Sequence, residues 1–206
     1  MAITLNGGTG VITGVSVGGL PDGVVDAGTL ATNSVDSDEL INGAIDAGHL
    51  ASGVGGKIVQ VVNVINSAVA TGTTTNTLDD TIPQKTEGNE VMTLAITPTN
   101  SSNKLIIYSE GFFTHTAGGA WANVALFQDT TANALSATTA GRLSLGDEGL
   151  HFSLTHYMTA GTTSSTTFKI RAGGQDAGTM TFNGSGGTRY MGGVMASSIT
   201  ITEIAV

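Results

Sequence analysis

Ser16 lies in Gly14-Val15-Ser16-Val17-Gly18, the spacing of a nucleophile elbow, in which a sharp strand-to-helix turn lifts a serine hydroxyl above a sheet. That geometry needs an α/β sheet and a following helix, whereas a turn containing Gly19 and Pro21 follows here. In a chain with 30 glycines among 206 residues the spacing arises from composition, and no esterase built on Ser16 is expected. Gly7-Gly8-Thr9-Gly10 lacks the last glycine of a dinucleotide-binding turn and any βαβ unit around it. Gly55-Gly56-Lys57-Ile58 puts Ile58 where a phosphate loop needs a hydroxyl for magnesium. Asp36, Asp38 and Glu39 fail as a calcium loop, because the sixth position is Ile41 instead of glycine and no later glutamate closes the site. His151 and His156 are five apart, so on a strand they face opposite sides and cannot share a metal. Asp129, Asp147, Glu148 and Asp176 contain no evident pair for glycoside hydrolysis. The expectation is a non-enzymatic chain with no cofactor and no metal site.

Trp121, Tyr108, Tyr157 and Tyr190 are the side chains able to stack on sugar rings or anchor a partner. Trp121 and Tyr190 are the candidate receptor contacts. The competing reading places these aromatics in a core or in a seam between chains, since the chain has so few of them.

The elements that must position these residues divide near residue 56. Every Lys and Arg lies at or beyond Lys57, while the segment before it holds six acidic residues from Asp22 to Asp46 and no basic partner. Inside that acidic segment runs a ten-residue repeat. Val25-Asp26, Val35-Asp36 and Ile45-Asp46 keep the step, as do Leu30, Leu40 and Leu50. Within one unit the two apolar anchors are five apart, so each unit must bend to turn both inward. Asp36-Ser37-Asp38-Glu39 has the form of a helix-capping box, which suits a short extended piece followed by one helical turn. Ordering a residue costs about 1–2 kcal/mol, while burying a Val or Leu returns only about 1.5–3 kcal/mol. A single copy of the repeat therefore cannot hold itself folded. Copies wound together can, with Val25, Leu30, Val35, Leu40, Ile45 and Leu50 facing their counterparts. A disordered linker would also be glycine-rich, but a linker needs no register.

From residue 57 onward, short apolar and β-branched runs alternate with turn clusters. The runs are Lys57–Ile65, Glu90–Thr97, Lys104–Phe113, Trp121–Phe127, Leu150–Tyr157, Thr166–Arg171, Thr179–Phe182 and Ile199–Val206. About eight strands at this spacing predict an antiparallel β-sandwich of jelly-roll type. In Ser198-Ile199-Thr200-Ile201-Thr202-Glu203-Ile204 the alternation ends the chain on an ordered strand.

The net charge of −9 and pI near 4.6 offer nothing to grip a phosphate backbone, so no nucleic-acid partner is expected. No run approaches the roughly twenty apolar residues of a membrane helix, and residues 1–10 lack the basic and apolar regions of a signal peptide. Cysteine is absent, which removes disulfides and thiolate metal sites.

Met1-Ala2-Ile3-Thr4-Leu5-Asn6-Gly7-Gly8-Thr9-Gly10, the decapeptides, and the phrases Gly56-Lys57-Ile58-Val59-Gln60-Val61 and Ile96-Thr97-Pro98-Thr99-Asn100-Ser101-Ser102-Asn103-Lys104-Leu105 together resemble tail-fibre and related virion appendage proteins of tailed bacteriophages. The resemblance implies a homotrimer on the phage particle surface. Residues 1–22 would attach it to other virion proteins, residues 23–56 would form the intertwined stalk, and residues 57–206 would form an outward head meeting a host receptor or glycan. A capsid-attached decoration fibre shares the same parts, and a soluble carbohydrate-binding module remains the alternative from another class.

Overall fold

The computed structural model describes residues 4–6, 11–13, 45 and 57–206. The chain divides into two compact units, Met1–Gly55 and Gly56–Val206. In the first, β1 (Thr4–Asn6) and β2 (Val11–Thr13) pair antiparallel, with Leu5 opposite Ile12. Of the six expected stalk anchors, Val25, Leu30, Val35, Leu40 and Leu50 lie outside the described residues, and Ile45 is exposed. Ser16 and the acidic group Asp36, Asp38 and Glu39 also lie outside them.

The second unit is all β apart from one 3₁₀ turn at Met191–Gly193, among the described residues. Its strands are β3 (Ile58–Asn66), β4 (Ala70–Gly72), β5 (Asn89–Ile96), β6 (Lys104–His115), β7 (Trp121–Gln128), β8 (Ser136–Arg142), β9 (Gly149–Thr159), β10 (Thr166–Gly174), β11 (Met180–Phe182), β12 (Gly184–Ser185), β13 (Thr188–Arg189) and β14 (Ser197–Ile204). Eight of them form two four-stranded antiparallel sheets, β3-β14-β6-β9 and β5-β10-β7-β8. Apart from β7 and β8, which are neighbours in one sheet, successive principal strands cross between the sheets and the last returns between β3 and β6, which is jelly-roll topology. β6 is long enough to take two partners end to end on one edge. Lys104–Glu110 pairs β14 and Phe113–His115 pairs β11, which carries β4 in turn.

Alternation explains how the sheets meet. In β14, Ile199 and Ile201 are fully buried while Ser198, Thr200 and Thr202 face away. In β10, Phe168, Ile170 and Ala172 point inward and Lys169 and Arg171 outward. These inward rows join Leu105, Ile107, Phe113, Val124, Leu126, Phe152 and Leu154 in one core between the sheets.

The structure adds one strand the sequence does not predict and shortens one that it does. β8, Ser-Ala-Thr-Thr-Ala-Gly-Arg, escaped the reading because it has no large apolar residue, and its β-branched threonines suffice only because β7 supplies a partner. The run Thr179–Phe182 forms not a principal strand but the short β11, which extends the sheet past the start of β14.

The sandwich has two distinct ends. Ile58, Ile204, Lys104 and Thr159 stand in register where the chain enters the unit, and Lys57 accepts a hydrogen bond from Ala205 N at 2.7 Å. At the far end are the β6–β7 turn, the start of β9 and the glycine-rich stretch from Asn183 to Gly193.

Candidate functional site

Both candidate contacts stand at the far end, but apart. Trp121 opens β7 opposite Arg142 of β8, is 36% exposed, and is fixed through its carbonyl by Gln175 N at 2.7 Å. Tyr190 follows β13, is 42% exposed, and packs on Phe112 with ring centroids 6.0 Å apart. Phe112 in turn meets His151 across the β6–β9 pair at 5.1 Å. Tyr190 thus belongs to a cluster and Trp121 does not.

The cluster borders a cleft of about 460 Å³ walled by Glu110, Phe112, His151, Ser153, Met195 and Ala196. β6 and β9 supply its floor, since Glu110 pairs with Ser153 and Phe112 with His151 on the outward side of the sheet. Gly149 permits this packing, because a Cβ there would come within 2.5 Å of the Phe112 ring. The Tyr108 hydroxyl donates to Glu110 Oε2 at 2.8 Å and orients that carboxylate. The cleft's outer wall hangs from Asn183, which takes the left-handed conformation (φ 57°) that asparagine tolerates. Its amide donates to the carbonyls of Asn66 and Ala68 at 2.8 and 3.0 Å, and its oxygen accepts from Ser197 Oγ at 2.7 Å. Beyond it, Met191 has φ 50° and Gly192 φ 64°, a turn that carries Tyr190 back over Phe112. Aromatic faces beside an oriented carboxylate and a serine hydroxyl suit a sugar, whose apolar face stacks while its hydroxyls are hydrogen-bonded.

The remaining singled-out residues do other work. His151 faces the cleft side and His156 the opposite side, opposite Ile107. Burial lowers the pKa of His156. Asp129 accepts from the Thr166 hydroxyl at 2.8 Å and from Thr167 N at 2.7 Å, and Glu148 accepts from Ser144 N at 2.6 Å, so both carboxylates organise turns. Tyr157 is exposed and Tyr108 half-buried on the outer face of their sheet. No group of three His, Cys, Asp or Glu residues is placed to hold a metal ion among the described residues, nor is any helix there long and apolar enough to cross a membrane.

At the entry end the structure reveals a buried carboxylate that belongs to no sequence motif. Glu203 is fully buried. Its Oε1 accepts from Thr99 N (2.9 Å), the Thr99 hydroxyl (2.8 Å) and Asn103 Nδ2 (2.6 Å), and its Oε2 accepts from Gln60 Nε2 (2.6 Å). Burial alone would raise its pKa; the hydrogen bonds from Gln60, Asn103 and Thr99 outweigh burial and hold it at about 2. The two head phrases that carry the sequence resemblance, around Gln60 and from Thr97 to Asn103, therefore converge on one anion. The signal was present in the alternation, where Glu203 occupies the inward phase of Ile199 and Ile201.

No family model matches the chain, and no curated protein matches it. Among solved structures it is similar to the Eiger TNF of S. frugiperda (8% identity over 70% of this chain and 93% of that one, TM-score 0.38). It is also similar to the CBM22-1 xylan-binding domain of Paenibacillus barcinonensis Xyn10C (13% identity, 73% and 97%, TM-score 0.35). A third is the VP2 subviral particle of infectious bursal disease virus (11% identity, 71% of this chain and 37% of that one, TM-score 0.30). All three TM-scores lie below 0.5, and neither fold nor role is taken from these likenesses. The class is thus defined by strand pairing: the unit from Gly56 is a jelly-roll β-sandwich with an aromatic, carboxylate-bearing cleft at its far end.

Proposed function

We propose that the chain is a structural, non-enzymatic virion fibre of a tailed phage. It is a homotrimer attached through residues 1–22 to other virion proteins and carried by the repeat of residues 23–56. Its head points outward and takes a host surface glycan in the cleft beside Tyr190. The observation that supports this most is polarity along the head. The chain enters at Lys57 directly after the repeat, and the aromatic cleft lies toward the opposite end of the same sheet.

The test is binding of the labelled full chain to host cells and to a glycan array, together with molar mass by light scattering. A mass three times that of the 20.7 kDa chain is expected. Tyr190→Ala should weaken binding roughly tenfold to thirtyfold, the loss typical of an aromatic anchor. Retained binding in Tyr190→Ala would remove the cleft from the reading.

The exposed Tyr190 ring, tilted against Phe112, together with an oriented Glu110 also favours a second reading, a soluble carbohydrate-binding module. That protein would bind glycan equally well as a monomer and would be missing from purified particles. Immunogold labelling of intact particles separates the two and distinguishes tail from capsid attachment.

A further inference from the structure

The outward face of β3-β14-β6-β9 is uncharged in its two central rows, where apolar side chains mix with threonine and asparagine. Strand register sets Val61, Thr202, Ile106 and Tyr157 in one row across it, and Asn63, Thr200, Tyr108 and Thr155 in the next. Ile65 and Ile204 extend the apolar surface toward the two ends. Val61 is 55%, Tyr157 59% and Ile65 69% exposed. These two central rows contain no charged residue; Lys104 and Glu110 stand in the rows that border them. Four strands about 4.8 Å apart and seven residues at about 3.3 Å make a face on the order of 19 by 23 Å. Within it Val61, Ile65 and Tyr157 are large apolar side chains exposed together on one face, the composition of an interaction surface.

We propose that this face is the seam along which copies of the chain pack, arranged about a three-fold axis that runs along the strands; the proposal rests on the trimeric reading above. Two features favour a second copy over another occupant. β3 borders this face and begins at Ile58, immediately after a repeat whose apolar residues are too sparse in sequence to hold a single copy folded. Copies gathered by that repeat present their β3 strands to one another at high effective concentration. Residues 57–206 hold ten acidic and seven basic residues, a net charge of −3, so two heads repel wherever acidic surface meets acidic surface. The two central rows offer contact without that cost. A cyclic arrangement closes, and so satisfies every copy's face without leaving one open to further growth. The cleft beside Tyr190, which lies on the same outward side at the far end, then falls next to the seam.

The chain has no cysteine, so single introduced cysteines report on burial directly. Val61→Cys and Tyr157→Cys are placed on the face, and Thr93→Cys, exposed on β5 of the other sheet, is the control. In the full chain, maleimide labelling at positions 61 and 157 should be slower than at 93 by roughly tenfold or more, as in an interface core. The three rates should converge in denaturant. Hydroxyl-radical footprinting of Tyr157 in the unmutated chain gives the same readout without a substitution, and protection is expected. Equal labelling rates in a chain that light scattering shows to be trimeric would overturn the seam and leave the fibre reading standing. A monomeric chain would overturn both, whether or not the face is protected.

Discussion

The two outer faces of the sandwich are built from similar strands and meet opposite fates. On β5-β10-β7-β8 the chain covers itself. Arg171, outward on β10, donates to the carbonyls of Glu87 and Gly88 at 2.9 and 2.8 Å, and Asn123, outward on β7, donates to Asn76 O at 2.7 Å. Lys85 N and Ala134 N tie the same segment to the β7–β8 connection. Phe127 pairs with outward Lys169, stands outside the inter-sheet core, and is still only 1% exposed. On β3-β14-β6-β9 no such segment crosses the central rows among the described residues, and Val61 and Tyr157 remain open. The lesson is that similar strands leave a covered outer face only where the chain supplies its own lid; without one the outer side chains stay open to solvent.

The largest test of this contrast is Phe127→Ala. If the segment between β4 and β5 truly makes a second core, urea unfolding should show a loss of about 3–5 kcal/mol, as for a buried phenylalanine. A loss near that of a surface residue, about 0.5 kcal/mol or less, would erase the distinction between the faces.

Next in size is acid sensitivity at the entry end of the bare sheet. Glu203 has its carboxyl held at about 2, below the ordinary 4.5, so the unfolded chain takes up the proton first. Stability from this group is complete above pH 4.5 and is lost as pH falls toward about 2, by on the order of 3 kcal/mol. Unfolding midpoints measured across that window should slope in the natural chain and flatten in Glu203→Gln.

Arg171→Ala strips the lid of its fastening and leaves two carbonyls without their charged donor. The expected cost is about 1–3 kcal/mol, with faster amide exchange concentrated between residues 73 and 88. Uniform exchange across the head would show that the segment is held by something else. Smallest of all is Lys169→Ala. Its ion pair with Glu90, at 3.4 Å, is partly exposed on both sides and should be worth under about 1 kcal/mol, falling further in high salt.

Much of this fold was legible before the structure. Seven of the eight principal strands announce themselves through β-branched runs bounded by turn clusters, and β14 announces even its facing, because Ile199, Ile201 and Glu203 share one phase. β8 was not legible, since Ser136–Arg142 becomes a strand only against β7. The candidate site was half legible. Tyr190 stood out as one of few aromatics, but Phe112 read as an ordinary strand residue and His151 as a surface one. The lid was hidden for a different reason: Arg171 and Asn123 fasten it through main-chain carbonyls, which carry no residue identity.

By itself the sequence determined that the chain is β-rich, where its turns fall, that its character changes near residue 56, and that a ten-residue repeat runs through residues 23–56. These follow from local sterics and from a side-chain period of two, which each segment obeys alone. Tertiary structure alone decided that β14 inserts between β3 and β6, that Gln60, Thr99 and Asn103 close on Glu203, and that one outer face is covered while the other stays open. A strand's pattern tells which of its sides is apolar. Only the packed fold chooses which neighbours those sides will meet.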